Sequence, residues 1–342
     1  MTSATKNSSL KHKENPMYNS LKSSVNENLI FPVDFFDDSA LNYSHICGRE
    51  FAARGFAMKN KAVLVFLFSC LLAGGFFALG QFLPDEIAQR EQWEKFLETA
   101  DIVKSELIGV GVTKPWKLYL KKGDIEKKAA WKNVEERRGD FVDNWKYEIA
   151  AYRIDKLIGL NMVPITIERE FEVKKGTFKK GALSLWADSK YNLLDVVEKN
   201  IPIPKAALKQ TDDTKYIGRF WDCVIANDDR TQENFLYTDD WRTILIDHSR
   251  AFRSSGEYKK KLMNGANGIK RKDDGGPYLI LRVPRALYEK VMALDFGRIK
   301  QAVGPYLTDE EVEAIVARLP LIKNEIAAMI KLYGEDKVLF EK

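Results

Sequence analysis

Two neighbouring stretches decide how this chain reads: Ala226-Asn227-Asp228-Asp229-Arg230-Thr231-Gln232-Glu233-Asn234-Phe235-Leu236-Tyr237 and Ile244-Leu245-Ile246-Asp247-His248-Ser249-Arg250-Ala251-Phe252. In the first, Asp229 and Asn234 stand five positions apart and lead into an apolar strand. In the second, another apolar strand delivers Asp247, 18 residues after Asp229 and 13 after Asn234. An Asp/Asn-rich loop between a helix and a hairpin is most often only a solvated turn. Asp247 changes that balance, because an acid ending the run Ile244-Leu245-Ile246 is costly if buried without a partner. Together the three suit phosphoryl transfer. One carboxylate orients the attacking hydroxyl and accepts its proton, while an Asn and a second carboxylate hold Mg²⁺ against phosphates. Hard oxygen donors are what Mg²⁺ requires.

Such a site also needs a cation for the phosphates, and something to hold that cation. Lys132 closes a strand-like segment, Lys127–Asn133, after the apolar Ala129-Ala130-Trp131. Glu148 begins the apolar period of a helix expected over Asn144–Ile158, with Ile149, Tyr152 and Leu157 following and Gly159 near its end. A strand lysine paired with a helix glutamate would turn its ammonium toward phosphate. Taken singly, each has an ordinary reading: a surface lysine, and a first-turn acid favoured by the helix dipole.

Around these residues the pattern divides in two. An acidic-amphipathic helix at 86–101 precedes strands expected at Ile102–Val110, Trp116–Lys121 and Lys127–Asn133. After the helix come Met162–Glu170 and Ala182–Ala187, with Lys174–Gly181 as a basic hairpin turn. Beyond Asp188 the pattern is helical at Tyr191–Lys199 and Thr214–Ala226, interrupted by the strand pair Phe235–Tyr237 and Thr243–Ile246. Thr308-Asp309-Glu310-Glu311 is a capping box for a helix at Glu310–Leu319. Strands with one helix, then mostly helices, predict an α+β protein with a small and a large lobe. A cleft between lobes is a common ligand site.

The order Lys132, Glu148, Asp229, Asn234, Asp247 resembles the protein-kinase-like superfamily, and the local wording resembles its Fam20 secretory-pathway branch and bacterial relatives. Ala129-Ala130-Trp131-Lys132 is similar to their strand lysine, and Glu148–Leu157 to their helix glutamate. Ile225–Arg230 is similar to their catalytic loop and Ile246–Phe252 to their metal-binding aspartate segment; Met162-Val163-Pro164 fits as well. The resemblance spans roughly 105–255 and implies a bilobal kinase-like fold, with a β-rich N-lobe at 85–190 and a helical C-lobe at 191–342. It implies ATP with Mg²⁺ or Mn²⁺ as cofactors, Asp229 as catalytic base, Asn234 and Asp247 on metal, and Lys132 on phosphate, held by Glu148. It also places Gly109 and Gly111 in the phosphate-covering turn and Trp186 at the hinge beside adenine, though Trp186 also reads as core. Thr231 departs from the pattern, standing where several related loops carry histidine, and no DFG or APE wording is present. The implied activity moves the γ-phosphoryl of ATP to a hydroxyl on a protein or glycan. Two alternatives stay open: a pseudokinase that binds nucleotide or partner without turnover, and an anchored scaffold with no nucleotide site.

Composition removes other classes. The chain has 342 residues, with 54 Lys+Arg against 49 Asp+Glu, and its net charge of +5 is too small to imply nucleic acid as a partner. His12 and His45 lie far upstream, so His248 alone remains for the domain, which excludes multi-His zinc chemistry within one chain. Of Cys47, Cys70 and Cys223 only the last lies in that domain, so it forms no internal disulfide. Residues 62–83 are uncharged and apolar, and at about 1.5 Å per helical residue they match a hydrocarbon core of about 30 Å. They are expected to be a single-pass membrane helix (58–84 with its flanks) after a disordered tail at 1–57, or a cleaved signal starting at Met58. Arg54, Lys59 and Lys61 before the span favour an extracytoplasmic domain, periplasmic or lumenal. The basic stretch from Tyr258 to Lys272 reads as a solvated loop or a substrate-facing one.

Overall fold

Strand alternation and helical period build this fold in chain order. The computed structural model describes residues 82–109, 115–138, 141–272 and 276–341. The expected membrane segment and tail lie outside these residues, apart from Phe82, Leu83 and Pro84. No helix among the described residues is long and apolar enough to cross a membrane.

Two short helices lead in: α1 (Pro84–Ala88) and α2 (Arg90–Thr99). A single helix was expected here; the break falls at Gln89, which leaves the helical conformation between them. Next come β1 (Asp101–Leu107), β2 (Trp116–Lys122) and β3 (Ile125–Lys132). Leu118 and Leu120 of β2 and Ala129 and Trp131 of β3 alternate inward with period two. A small hairpin, β4 (Glu135–Arg138) and β5 (Phe141–Asn144), then separates β3 from helix α3 (Lys146–Ile158). Gly159, left-handed at φ 67, caps α3. Strands β6 (Thr166–Lys174) and β7 (Thr177–Leu185) complete an antiparallel sheet in the order β1-β2-β3-β7-β6. The basic segment expected as a turn is therefore mostly strand, and only Lys175 and Gly176 turn.

The second half begins with β8 (Tyr191–Asn192), α4 (Leu193–Glu198) and α5 (Leu208–Ile225). Strands β9 (Phe235–Tyr237) and β10 (Thr243–Leu245) join β8 in a three-stranded sheet. After β11 (Val283–Pro284) come α6 (Arg285–Met292), α7 (Phe296–Val303), α8 (Asp309–Tyr333), α9 (Glu335–Val338) and β12 (Leu339–Phe340). The capping box at Thr308 and Glu311 forms as expected, but α8 continues far past Leu319 and carries Pro320 inside it. One apolar cluster joins both halves, running from Phe96 and Trp131 through Ile154 and Trp221 to Ile322 and Leu339. A five-stranded sheet with its helix α3 is thus followed by a helical lobe.

Candidate functional site

The sheet and α3 bring Lys132 and Glu148 together. Lys132 ends β3 opposite Ala182 of β7, and Glu148 lies in the first turn of α3. The strands pack tightly there, because a Cβ on Gly181 would press on the Lys132 carbonyl and stand 2.6 Å from the Trp131 ring. Lys132 Nζ donates to Glu148 Oε1 at 2.7 Å and to Asp247 Oδ1 at 2.8 Å. Burial works against the ammonium, but Asp247 and Glu148 outweigh it and hold its pKa well above the usual lysine range. Burial likewise raises the Glu148 carboxyl, and Lys132 and His248 overcome this, so Glu148 stays ionised far below the usual range.

Asp247 reaches Lys132 across 115 positions of sequence because the backbone turns sharply around it. Asp247 itself is left-handed at φ 59, as are Ala226 in the loop that leads to Asp229 (φ 48) and Phe252 at the end of the Asp247 segment (φ 60). L-residues rarely adopt this region, so three instances around one site mark a constrained geometry. Backbone bonds fix the turns: Phe252 N to Ile225 O at 2.6 Å, Ile246 N to Asn234 O at 3.2 Å, and Leu245 N to Met162 O at 2.8 Å.

Asp229 and Asn234 are neighbours in space. Asn234 Nδ2 donates to the Asp229 carbonyl at 3.2 Å, which commits its N–H and leaves its Oδ1 to act as an acceptor. The Asp229 carboxylate is half-buried and meets Arg250 Nη1 at 3.2 Å. Burial raises its pKa first; Arg250 opposes this, while Asp247, Asp228 and Asp143 push it further up. A carboxyl that ionises less readily than usual is a better proton acceptor, as a general base requires.

The donor set fits a divalent cation with a nucleotide. Asp247 and Asn234 offer hard oxygens, and no group of three His, Cys, Asp or Glu side chains converges on one point among the described residues. A cation held here would draw its remaining ligands from phosphate and water, as Mg²⁺ commonly does. Gly109 is exposed beyond β1, and nothing lies within 4 Å of where its Cβ would stand; Gly111 lies outside the described residues. Trp186 follows β7, donates its backbone N–H to Lys128 O at 3.0 Å, and carries the Lys117 ammonium 4.6 Å from its ring centre. Its side chain is half-buried and lies outside the fully buried core.

Several residues at the site were given no role in the sequence analysis. His248 is wholly buried, and its backbone N–H donates to Glu148 Oε2 at 3.1 Å. Its Nε2 accepts from Arg230 Nη2 at 3.0 Å and from Trp221 Nε1 at 3.3 Å. Two donors on Nε2 put the imidazole proton on Nδ1, which faces Glu148 Oε2 at 3.7 Å. Burial lowers the His248 pKa, consistent with a neutral ring. Arg230 in turn pairs with buried Asp222 at 3.1 Å and donates to Ile246 O at 2.7 Å. Arg250 links Asp229 to Asp143 of β5, whose Oδ2 it meets at 3.1 Å. Arg230 directly after Asp229, with His248 directly after Asp247, is the signal that could have pointed to the first network; the second depends on a hairpin whose four-residue strands carry no clear alternation.

No family model and no curated protein sequence matches the chain. Solved structures do match. The structure of hydra Fam20 with sugar superposes with a TM-score of 0.53 at 13% identity, over 78% of this chain and 95% of that one. The Golgi casein kinase with Mn and ADP bound gives 0.51 at 12% identity, over 85% and 96%. A second structure of the Golgi casein kinase gives 0.50 at 13%, over 77% and 79%. The fold is that of the Fam20-like kinases.

Proposed function

We propose that this chain is an ATP-dependent phosphotransferase that moves the γ-phosphoryl to a hydroxyl of a protein or glycan, using Mg²⁺ or Mn²⁺. The observation that carries the reading is the Lys132 ammonium meeting both Glu148 and Asp247, with Asp229 and Asn234 bonded beside them. A scaffold with no nucleotide site gives no reason to hold a lysine between two carboxylates and to turn an aspartate left-handed to reach it. In this reading Asp247 and the Asn234 oxygen hold the cation, which neutralises charge on the transferring phosphoryl group when bound. Lys132 holds the α/β-phosphates and is kept in place by Glu148. Asp229 orients the acceptor hydroxyl and takes its proton, its raised pKa suiting it to that task. Arg250 holds the Asp229 carboxylate in position until the acceptor arrives. The domain is placed outside the cytoplasm, tethered through residues 62–83, on the strength of that apolar run and the basic residues before it.

A second reading keeps the nucleotide and loses turnover: Arg250 occupies the base, and Thr231 stands where histidine is common in similar loops. One experiment separates the two. Full-length protein is incubated with ATP and Mn²⁺ or Mg²⁺, and nucleotide binding and ATP consumption are both measured. Phosphoryl transfer predicts turnover that Asp247→Ala abolishes and Lys132→Ala lowers by at least about a hundredfold. Nucleotide-dependent stabilisation without turnover selects the second reading. Turnover indifferent to both substitutions sinks the mechanism.

A further inference from the structure

The geometry points to Arg90, in the helix that leads into the kinase-like fold, as a positioning residue for the Lys132–Glu148 pair. The inference rests on the phosphotransferase reading and adds an element to it: helix α2 as the part that sets the rotation of α3.

Glu148, Tyr152 and Asp155 lie on α3 at i, i+4 and i+7, so they share one stripe of the helix. All three carry directed polar contacts. Glu148 meets Lys132, while Tyr152 and Asp155 meet α2. Arg90 Nη2 donates to Asp155 Oδ1 at 3.2 Å, with both side chains almost wholly buried. The other Asp155 oxygen accepts the backbone N–H groups of Met162 (2.7 Å) and Val163 (3.0 Å), where the chain leaves α3 for β6. The Arg90 guanidinium also lies 5.5 Å from the Phe82 ring centre and 5.8 Å from that of Tyr152. One turn further along α2, Glu94 accepts from the Tyr152 hydroxyl and pairs with Lys156 at 2.8 Å.

Helix α2 is itself fixed to the sheet. Arg169 of β6 donates to the carbonyls of Leu97 and Ala100 at its C-terminal end, and Leu97 is fully buried. Contact between α2 and α3 therefore joins the sheet to the helix that carries Glu148. An apolar pair could fill the space between them. A buried guanidinium and carboxylate add direction, because their bonds are lost if α3 rotates or slides. A helix moves nearly as a rigid body over two turns, so a rotation that breaks Arg90–Asp155 also swings Glu148 off Lys132.

The test uses the full-length chain with Arg90→Met, which keeps the stem and removes the fork, and Glu94→Ala, which removes the neighbouring contact at the half-exposed edge. Affinity for Mn-ADP and for Mn-ATP is measured below the melting range of each variant, alone and in a Lys132→Ala background. The inference expects Arg90→Met to weaken nucleotide affinity by about tenfold while the folded fraction is unchanged, and to add little once Lys132 is gone. A merely structural role lowers the melting temperature and leaves the affinity of the folded protein alone; that outcome overturns the inference and leaves the phosphotransferase reading intact. If Arg90→Met does not fold, Glu94→Ala carries the same comparison. If the unaltered chain binds no nucleotide, the phosphotransferase reading fails. Hydrogen exchange across residues 146–152 then decides the inference: faster exchange in Arg90→Met or Glu94→Ala supports it, and unchanged exchange overturns it.

Discussion

Arg230 and Asp222 are a buried ion pair, with side chains 5% and 3% exposed and 3.1 Å apart. Charges taken this far from water need each other, and removing one partner leaves the other uncompensated. Asp222→Ala should therefore cost about 3–5 kcal/mol in denaturant unfolding. A loss under about 1 kcal/mol would show that water or a neighbour compensates Arg230. The same change should loosen His248, which Arg230 holds from the side opposite Glu148. Lys132, Glu148, Asp229, Asn234 and Asp247 were singled out in the sequence by type and order, and the structure brings Lys132 to Glu148 and Asp247, and Asn234 to Asp229. Asp222, Arg230, His248 and Arg250 were not singled out, since their work is to hold other side chains and any pair of the right length and charge would serve. Their partners are set by packing between distant segments, which spacing does not encode.

At the scale of elements, β3 and β7 pack closely where β3 delivers Lys132. Gly181 lies against the Trp131 ring and the Lys132 carbonyl, and a methyl group there would meet backbone that cannot rotate away. Gly181→Ala should destabilise the fold by about 1–3 kcal/mol, the usual cost of overpacking. It should also weaken nucleotide affinity, because the strand that shifts is the one carrying Lys132. Full stability in denaturant with unchanged affinity would refute both parts. The strands of this sheet were legible where apolar and polar residues alternate, as in β2 and β3. The outer half of the β6–β7 hairpin was read as a turn because its residues are Lys, Thr, Phe and Gly on a solvated ribbon. Hydrogen bonding across the ribbon holds it extended, and no inward apolar face announces it. Hairpin β4–β5 was missed because its strands are only four residues long and β4 is entirely Glu and Arg.

At the scale of the whole molecule, the two lobes share one apolar cluster. Helix α3 contributes Ile154 and Ile158 to it, the sheet contributes Leu118, Trp131 and Leu183, and the helical lobe contributes Trp221, Leu245 and Ile322. Lobes joined this way should unfold together. Calorimetry and near-UV circular dichroism should report a single coincident transition for the kinase-like fold. Two separated transitions would mean that the shared cluster does not couple the lobes.

Arg318 is wholly buried in α8. It donates to Val224 O at 3.2 and 2.9 Å, and to Arg253 O at 3.1 Å. Val224 lies just before the Ile225–Arg230 loop and Arg253 just after the Ile246–Phe252 segment, so one guanidinium ties down both ends of the stretch that carries Asp229, Asn234 and Asp247. Seen from the ribosome, every residue of the candidate site has been made by position 253, yet the brace that closes it is added 65 residues later. A nascent chain or a prematurely stopped product lacking α8 would contain every side chain of the candidate site without the guanidinium that clasps its ends. Closure of this stretch by Arg318 therefore waits until α8 has been made.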